Sequence, residues 1–315
     1  MMQNDLVSLL EQFPILLYTS AALIGLVVGS FLNVLILRLP RIMEQQWREE
    51  CSELLATAST APAATPPAET PPAETPPAKT KERDKPLLGL ARPGSHCWAC
   101  GAAIKPWDNI PVLSWLLLRG RCRACKRPIA LRYPLIELLT ALLSVAVVWQ
   151  LGPTFAALAA LILTWGLIAL AVIDLDTQLL PDSLTLPLLW LGLLLSLGGT
   201  FTEPAAAIAG AAAGYLLLWL VFHAFRIATG KEGMGHGDFK LLALFGAWLG
   251  WQALAQIILL SSLAGAIVGI GLIASGRQQA GQPIPYGPFL AIAGWISLLW
   301  GNAITQSYLQ WAGLA

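Results

Sequence analysis

The length of the uncharged runs constrains this chain more than any other feature. No Asp, Glu, Lys or Arg occurs in 12–37, 138–173, 183–202, 204–225, 241–276 or 278–315. A helix needs roughly 20 apolar residues to cross a hydrocarbon core ~30 Å thick. Two of the runs are 36 residues long, so each must turn back once. "QLGPTF" (150–155) offers Gly152 and Pro153 for the first turn, and "WLGWQ" (248–252) offers the second. The expected fold class is therefore an all-α polytopic membrane protein with about eight transmembrane helices. A signal peptide is the alternative for 12–37. The first eleven residues carry Asp5 and Glu11 but no Lys or Arg, whereas a signal peptide begins basic.

Charge placement supplies an orientation. Only 12% of residues are charged, against about 25% in soluble domains. Of the 19 Lys and Arg, 15 lie between Arg38 and Arg132. Basic residues stay cytoplasmic, which places the large polar insertion inside and, with eight spans, the N-terminus outside. The loops 174–182, 226–240 and 277–286 then also fall inside, and they hold Arg226, Lys231, Lys240 and Arg277. The outer turns near 152, 201 and 251 hold no basic residue. The chain divides into a first transmembrane helix (1–38), a cytoplasmic loop (39–133) and a seven-helix membrane domain (134–315).

The cytoplasmic loop has two parts. Residues 57–85 repeat PPAET-like units almost without large apolar side chains, which predicts a disordered tether. Residues from about 92 to 131 contain Cys97-x2-Cys100 and, 21 residues on, Cys122-x2-Cys125. Paired C-x2-C knuckles predict a Zn²⁺ site in which four thiolates close a tetrahedron. A closed site has no open position for water, so this zinc-binding domain, inserted after the first helix, is expected to be architectural. Cytoplasmic thiols also stay reduced. Cys51 stands outside the pattern. The basic residues Arg119, Arg121, Arg123, Lys126 and Arg127 suit a solvated surface facing lipid headgroups or a substrate contact.

Carboxylates near the membrane call for explanation, because Asp at a helix centre costs at least ~2.5–3.5 kcal/mol on insertion scales. Asp174 closes an unbroken apolar run, with Asp176 and Asp182 expected in the loop after it. Asp182 suits a helix cap. Asp238 follows "GMGHG" (233–237) and either caps the next helix or lies deeper. From Phe239 to the turn at Gly250 are 12 residues, roughly 18 Å of helix. Either the turn falls later or Asp238 sits at membrane depth. Two carboxylates converging at the inner face can share a proton and activate water, which is aspartyl protease chemistry. A proton relay in a transporter uses similar pairs, but the Asp-bearing segments show no internal repeat of the kind transporters carry. Lys240 either orients substrate or reaches the headgroups. Glu137 is a substrate or cofactor contact or a helix-start residue, and Asn33 suits a hydrogen bond across helices.

Six segments in order resemble the prepilin peptidase family, also called type IV leader peptidases. They are "GSFLNVLILRLP" (29–40), the paired knuckles, "RYPLIELLTA" (132–141), "IDLDTQLLPD" (173–182), "GMGHGDFKLL" (233–242) and "PIPYGPFLAIAG" (283–294). The resemblance implies an enzyme of the bacterial inner membrane with its active site facing the cytoplasm. It implies cleavage of type IV prepilins and type II secretion pseudopilins after a glycine, with Asp174 and Asp238 as the catalytic pair. It also implies N-methylation of the new N-terminal residue from S-adenosylmethionine, linked to the cysteine loop, with Gly120 and Arg121 at the matching positions. Arg121 stands where relatives commonly have Lys. The implied partners are these substrates and the lipid bilayer, with no nucleic acid.

Overall fold

The structure is a computed structural model and describes residues 10, 12–60, 89–92, 94–231, 233–276 and 284–313. Among these, helices α1 (Pro14–Thr60), α2 (Leu113–Leu117), α3 (Arg132–Leu151), α4 (Phe155–Thr177), α5 (Asp182–Ser196), α6 (Pro204–Thr229), α7 (His236–Leu249), α8 (Gln252–Ala274) and α9 (Gly287–Trp311) follow in order. Six of them (α1, α3, α4, α6, α8 and α9) are long and apolar enough to cross a membrane. The chain is a multi-pass helical membrane protein. The apolar helices α5 and α7 are shorter, at 15 and 14 residues, roughly 21–23 Å.

Both expected turns lie where the sequence put them. Gly152 ends α3, and Thr154 then caps α4 by accepting the Ala157 N–H at 3.1 Å. Gly250 ends α7 at φ 79°, a left-handed backbone that glycine adopts without a Cβ penalty. Helix α1 continues to Thr60 past Pro40. Residues 57–60 of the expected tether are therefore the last turn of α1, and the remainder, 61–85, lies outside the described residues. The helix persists because "MEQQWREECSELLATAST" (43–60) is rich in strong helix formers and contains no proline or glycine.

The core is built around α7. Phe239, Leu241, Leu242, Leu244, Phe245, Ala247 and Trp248 are all essentially inaccessible. A helix apolar all round is a buried one, and α7 packs against α5, α6, α8 and α9. The Trp248 indole donates to the Leu188 carbonyl on α5 at 2.8 Å. By contrast, Leu259, Leu263 and Ile267 of α8 stand open, as befits a lipid-facing surface.

Close approach of α6 and α7 depends on glycine. Gly210 and Gly214 form a small-xxx-small pair that lets two backbones meet. A Cβ on Gly214 would lie 2.7 Å from the Leu242 carbonyl oxygen, and one on Gly246 would run into the Gly210 carbonyl. Backbone cannot swing aside as a side chain can. Gly246→Val should therefore destabilise the bundle by at least the ~1–3 kcal/mol of ordinary overpacking, read as a lowered thermal midpoint in detergent. Gly271→Val, where nothing lies within 4 Å, is the control. Equal midpoints for the two variants would contradict the contact.

Candidate active site and metal centre

Asp174 lies in the last turn of α4 and Asp238 in the first turn of α7, and both are buried, at 5% and 6% exposure. Helix α9 brings them together, since it packs on both α4 and α7. Its first residue, Gly287, donates its N–H to Asp174 Oδ2 at 3.0 Å. The first N–H groups of a helix have no partner within it, and here one finds the carboxylate. A Cβ on Gly287 would lie 2.6 Å from that oxygen, so glycine is needed for the approach. Asp238 is not an N-cap. Gly235 caps α7 and Asp238 is the third residue of the helix, where its carboxylate faces the Gly235 N–H and feels the charge of Asp174. Leu180 packs close to the glycines beside both aspartates. Cβ atoms on Gly237 and Gly287 would meet its side chain at 2.7 and 3.3 Å. The turn does stand at Gly250, so the short helix is real and Asp238 is buried at its start.

The neighbouring charges are paired. Asp176 is part of α4 and not of a loop, and the Arg132 guanidinium at the start of α3 grips both its oxygens. Asp182 is the first residue of α5, whose N-cap is Pro181. Instead of capping, it accepts Lys240 Nζ at 2.7 Å on each oxygen. Lys240 therefore ties α7 to α5 beside Asp238. The three histidines stand apart from this chemistry. His223 and His236 belong to an aromatic cluster with Phe222, and His96 stacks near Trp98.

The cysteine domain consists of two matching knuckles. In the first, Cys97 N–H donates to the Ala102 carbonyl and Gly101 N–H to the Cys97 carbonyl. In the second, Cys122 N–H donates to Arg127 and Lys126 N–H to Cys122. Gly101 and Lys126, each following the second cysteine of its knuckle, both adopt positive φ, 71° and 61°. The four Sγ atoms lie within 4.8 Å of one another, and Cys97 and Cys125 are 3.8 Å apart. Zn–S bonds of about 2.3 Å place tetrahedral sulfurs roughly 3.8 Å apart, so the donor set fits a metal ion. Backbone N–H groups of Ala99 and Cys100 pull the Cys97 thiol down to about 6, into the thiolate form that binds metal. The Ala102 N–H favours the Cys100 thiolate, yet neighbouring Cys125 and Cys97 push it up to about 11, a crowding that a bound cation relieves.

Gly120 and Arg121 stand in different surroundings. Gly120 is buried at φ 64°, and a Cβ there would strike the Trp115 indole at 2.7 Å. Arg121 is exposed. Of the basic residues around the second knuckle, Arg123 forks onto Asp108 and holds its carboxyl below the usual range. The domain is fastened to the membrane helices at three places. Buried Arg38 donates to the Gly89 and Leu90 carbonyls, and the Arg41 guanidinium lies 4.5 Å from the Trp98 ring. Glu137, buried on α3, accepts the Val112 N–H at 2.7 Å. Asn33 does bond across helices, to the Tyr133 carbonyl at 3.1 Å.

Sequence reasoning missed the parts played by Gly287, Leu180 and Val112. The first had a signal: a Tyr-Gly-Pro opening an apolar run marks a helix start, and a helix start is where anions are met.

A buried pair of carboxylates at the helix ends of a multi-pass membrane protein defines a small class of molecules. Residues 161–270 match the model of the type IV leader peptidase family, and residues 23–151 match that of the bacterial peptidase A24 N-terminal domain. The chain is 52% identical over 304 residues to a prepilin leader peptidase/N-methyltransferase of Aeromonas hydrophila, covering 96% of this chain and 98% of that one. It is 50% identical over 308 residues to the protein of that name from Pseudomonas aeruginosa, covering 98% and 99%. The chain belongs to the type IV leader peptidase family. No solved structure matches it significantly.

The metal centre is tested by composition. Purified protein should carry about one zinc per chain, the content that a four-thiolate site implies. Cys97→Ser and Cys122→Ser should each lower it severalfold when measured by elemental analysis. An unchanged zinc content in both would reject the site.

Proposed function

We propose that the chain is an intramembrane aspartyl endopeptidase of the bacterial inner membrane. It removes the leader from type IV prepilins and type II secretion pseudopilins at the cytoplasmic face, after a glycine, and N-methylates the residue exposed. The observation that carries this reading is the meeting of two buried carboxylates, Asp174 and Asp238, at the start of α9. They occur in a chain that aligns nearly end to end with proteins named for this activity.

The membrane arrangement follows the sequence. Residues 1–38 hold the first crossing, 39–133 form the cytoplasmic insertion with its zinc domain at about 92–131, and 134–315 supply seven more crossings. Helices α5 and α7 complete the eight despite their length. α7 is enclosed by protein and does not need to match the thickness of the lipid. The zinc is structural, held by Cys97, Cys100, Cys122 and Cys125.

Hydrolysis requires an acid and a base at once. Two carboxylates a few ångströms apart do not both ionise, so the pair supplies one of each. The base takes a proton from water as its oxygen attacks the scissile carbonyl carbon, and the acid donates to the carbonyl oxygen. Collapse breaks the C–N bond: the departing amine takes a proton from the former base, and one hydroxyl of the intermediate returns its proton to the former acid, leaving the carboxylic acid product. The Gly287 N–H fixes the rotation of the Asp174 carboxylate, and Leu180 excludes solvent between the helix ends. When bound, S-adenosylmethionine supplies an electrophilic methyl group for the new N-terminal amine.

Asp174→Asn and Asp238→Asn should each reduce cleavage of a purified prepilin by at least the ~10²–10⁴-fold of general acid–base catalysis, while the protein still inserts. Wild-type cleavage by either variant would reject the pair. Gly287→Ala should lower kcat at least about tenfold, because its methyl displaces Asp174 Oδ2 and a small misplacement of a reacting group is costly. An unchanged kcat would show that the contact does not position the carboxylate.

A further inference from the structure

The cysteine domain does not stand clear of the membrane helices, because the entry to α2 is tied alongside them. There the Val112 N–H donates to Glu137 at 2.7 Å. Glu137 lies five residues into α3 from its start at Arg132, roughly 7.5 Å along the helix. On α1 the same level falls at Gly29, where an added Cβ would lie 2.7 Å from the Glu137 Cα. Gly29 belongs to the uncharged run 12–37 and comes nine residues before Arg38, the charge that ends it, roughly 13 Å of helix. Both measures put the entry to α2 on the membrane side of the first charges. Amphipathic interfacial helices bury their apolar faces about 5–10 Å into the headgroup/acyl boundary.

At this depth α2 turns an apolar face outward. Ser114 is buried, and the Trp115 indole turns inward to donate to the Ile129 carbonyl at 3.2 Å. Leu113, Leu116 and Leu117 are instead 50%, 59% and 75% exposed. Spaced i, i+3 and i+4, they share one face of the turn. Clustered apolar side chains left open mark a membrane or partner contact. The chain then changes character, for Arg119 and Arg121 follow and are both exposed. Leucines succeeded at once by arginines match the two layers of an anionic leaflet, acyl chains and then phosphate headgroups.

We propose that α2 is an interfacial wedge. Leu113, Leu116 and Leu117 enter the acyl region of the cytoplasmic leaflet, and Arg119 and Arg121 bind the headgroups of anionic phospholipid. A second copy of the chain or an apolar stretch of substrate would also cover leucines, but neither accounts for the depth that Glu137 imposes or for the arginines beside them. The wedge seats the cysteine domain on the bilayer in addition to its contacts with α1 and α3. The proposal rests on the membrane arrangement given above and on neither enzymatic activity.

The test is photocrosslinking of the full-length, zinc-loaded protein in nanodiscs of equal phosphatidylglycerol and phosphatidylcholine, with a prepilin added. The photoreactive side chain p-benzoylphenylalanine stands in place of Leu117 and, in a second preparation, of Leu116, and adducts are identified by mass. Lipid adducts should dominate at both positions. Phosphatidylglycerol should be over-represented among them at least about twofold, since each basic side chain near an anionic surface favours it severalfold. Arg119→Gln combined with Arg121→Gln should return the ratio to that of the disc. The same probe in place of exposed Leu54, 16 residues beyond Arg38 on α1 and roughly 24 Å further along the helix, should give few lipid adducts. Adducts to the prepilin or to a second copy in place of lipid would overturn the wedge, as would no adduct at either leucine or an equal lipid yield at position 54. A lipid ratio equal to that of the disc with both arginines present would overturn their role. Prepilin cleavage by the unlabelled protein in the same discs reads the peptidase separately, so its failure is distinguishable from failure of the lipid contact.

Discussion

Burying carboxylates in an apolar bundle is the constraint on which the rest of this structure turns. A carboxylate away from water is costly unless something meets it. Asp174 is met by the first N–H of α9, and Asp238 by the first turn of α7. The first contact depends on a glycine, since a Cβ on Gly287 would lie 2.6 Å from the Asp174 oxygen. The glycines of "GMGHG" thus serve close approach at least as much as flexibility. Gly237 makes room for Leu180, whose side chain also lies close to Gly287.

The short helix α7 follows from the same constraint. Were it to start at the membrane surface, Asp238 would be solvated and ordinary. Its 14 residues start it within the packed bundle, where Phe239 and its neighbours are fully enclosed. The ion pairs Lys240–Asp182 and Arg132–Asp176 then lock the surrounding helix ends. The basic side chains nearest the site are therefore engaged with carboxylates and not extended towards headgroups. The cysteine domain is fastened to α1 through Arg38 and Arg41 and to α3 through Glu137.

Much of this was legible in the sequence. Uncharged runs located the apolar helices, because charge exclusion acts on every residue of a span. Gly152 and Gly250 marked both turns, since a helix that must reverse needs a breaker. The knuckle spacing gave the four thiols, which the structure gathers. Local signals failed where tertiary contacts decide. Asp182 reads as a helix cap until Lys240, 58 residues away, claims it. Asp176 reads as a loop residue because nothing nearby in the chain announces Arg132. The continuation of α1 to Thr60 was hidden by its polar composition, which marks the end of a membrane span but not the end of a helix. Gly120 was singled out by resemblance alone, and its physical reason, the Trp115 ring, requires three dimensions.

The central claim is that Asp174 and Asp238 together act on one peptide bond. The most direct measurement is a structure of the Asp238→Asn protein in a membrane mimic with an intact prepilin bound. The account predicts that the scissile carbonyl lies between the two side chains, within about 2.6–3.2 Å of each or one bridging water away. A scissile bond bound outside the reach of both residues would contradict it.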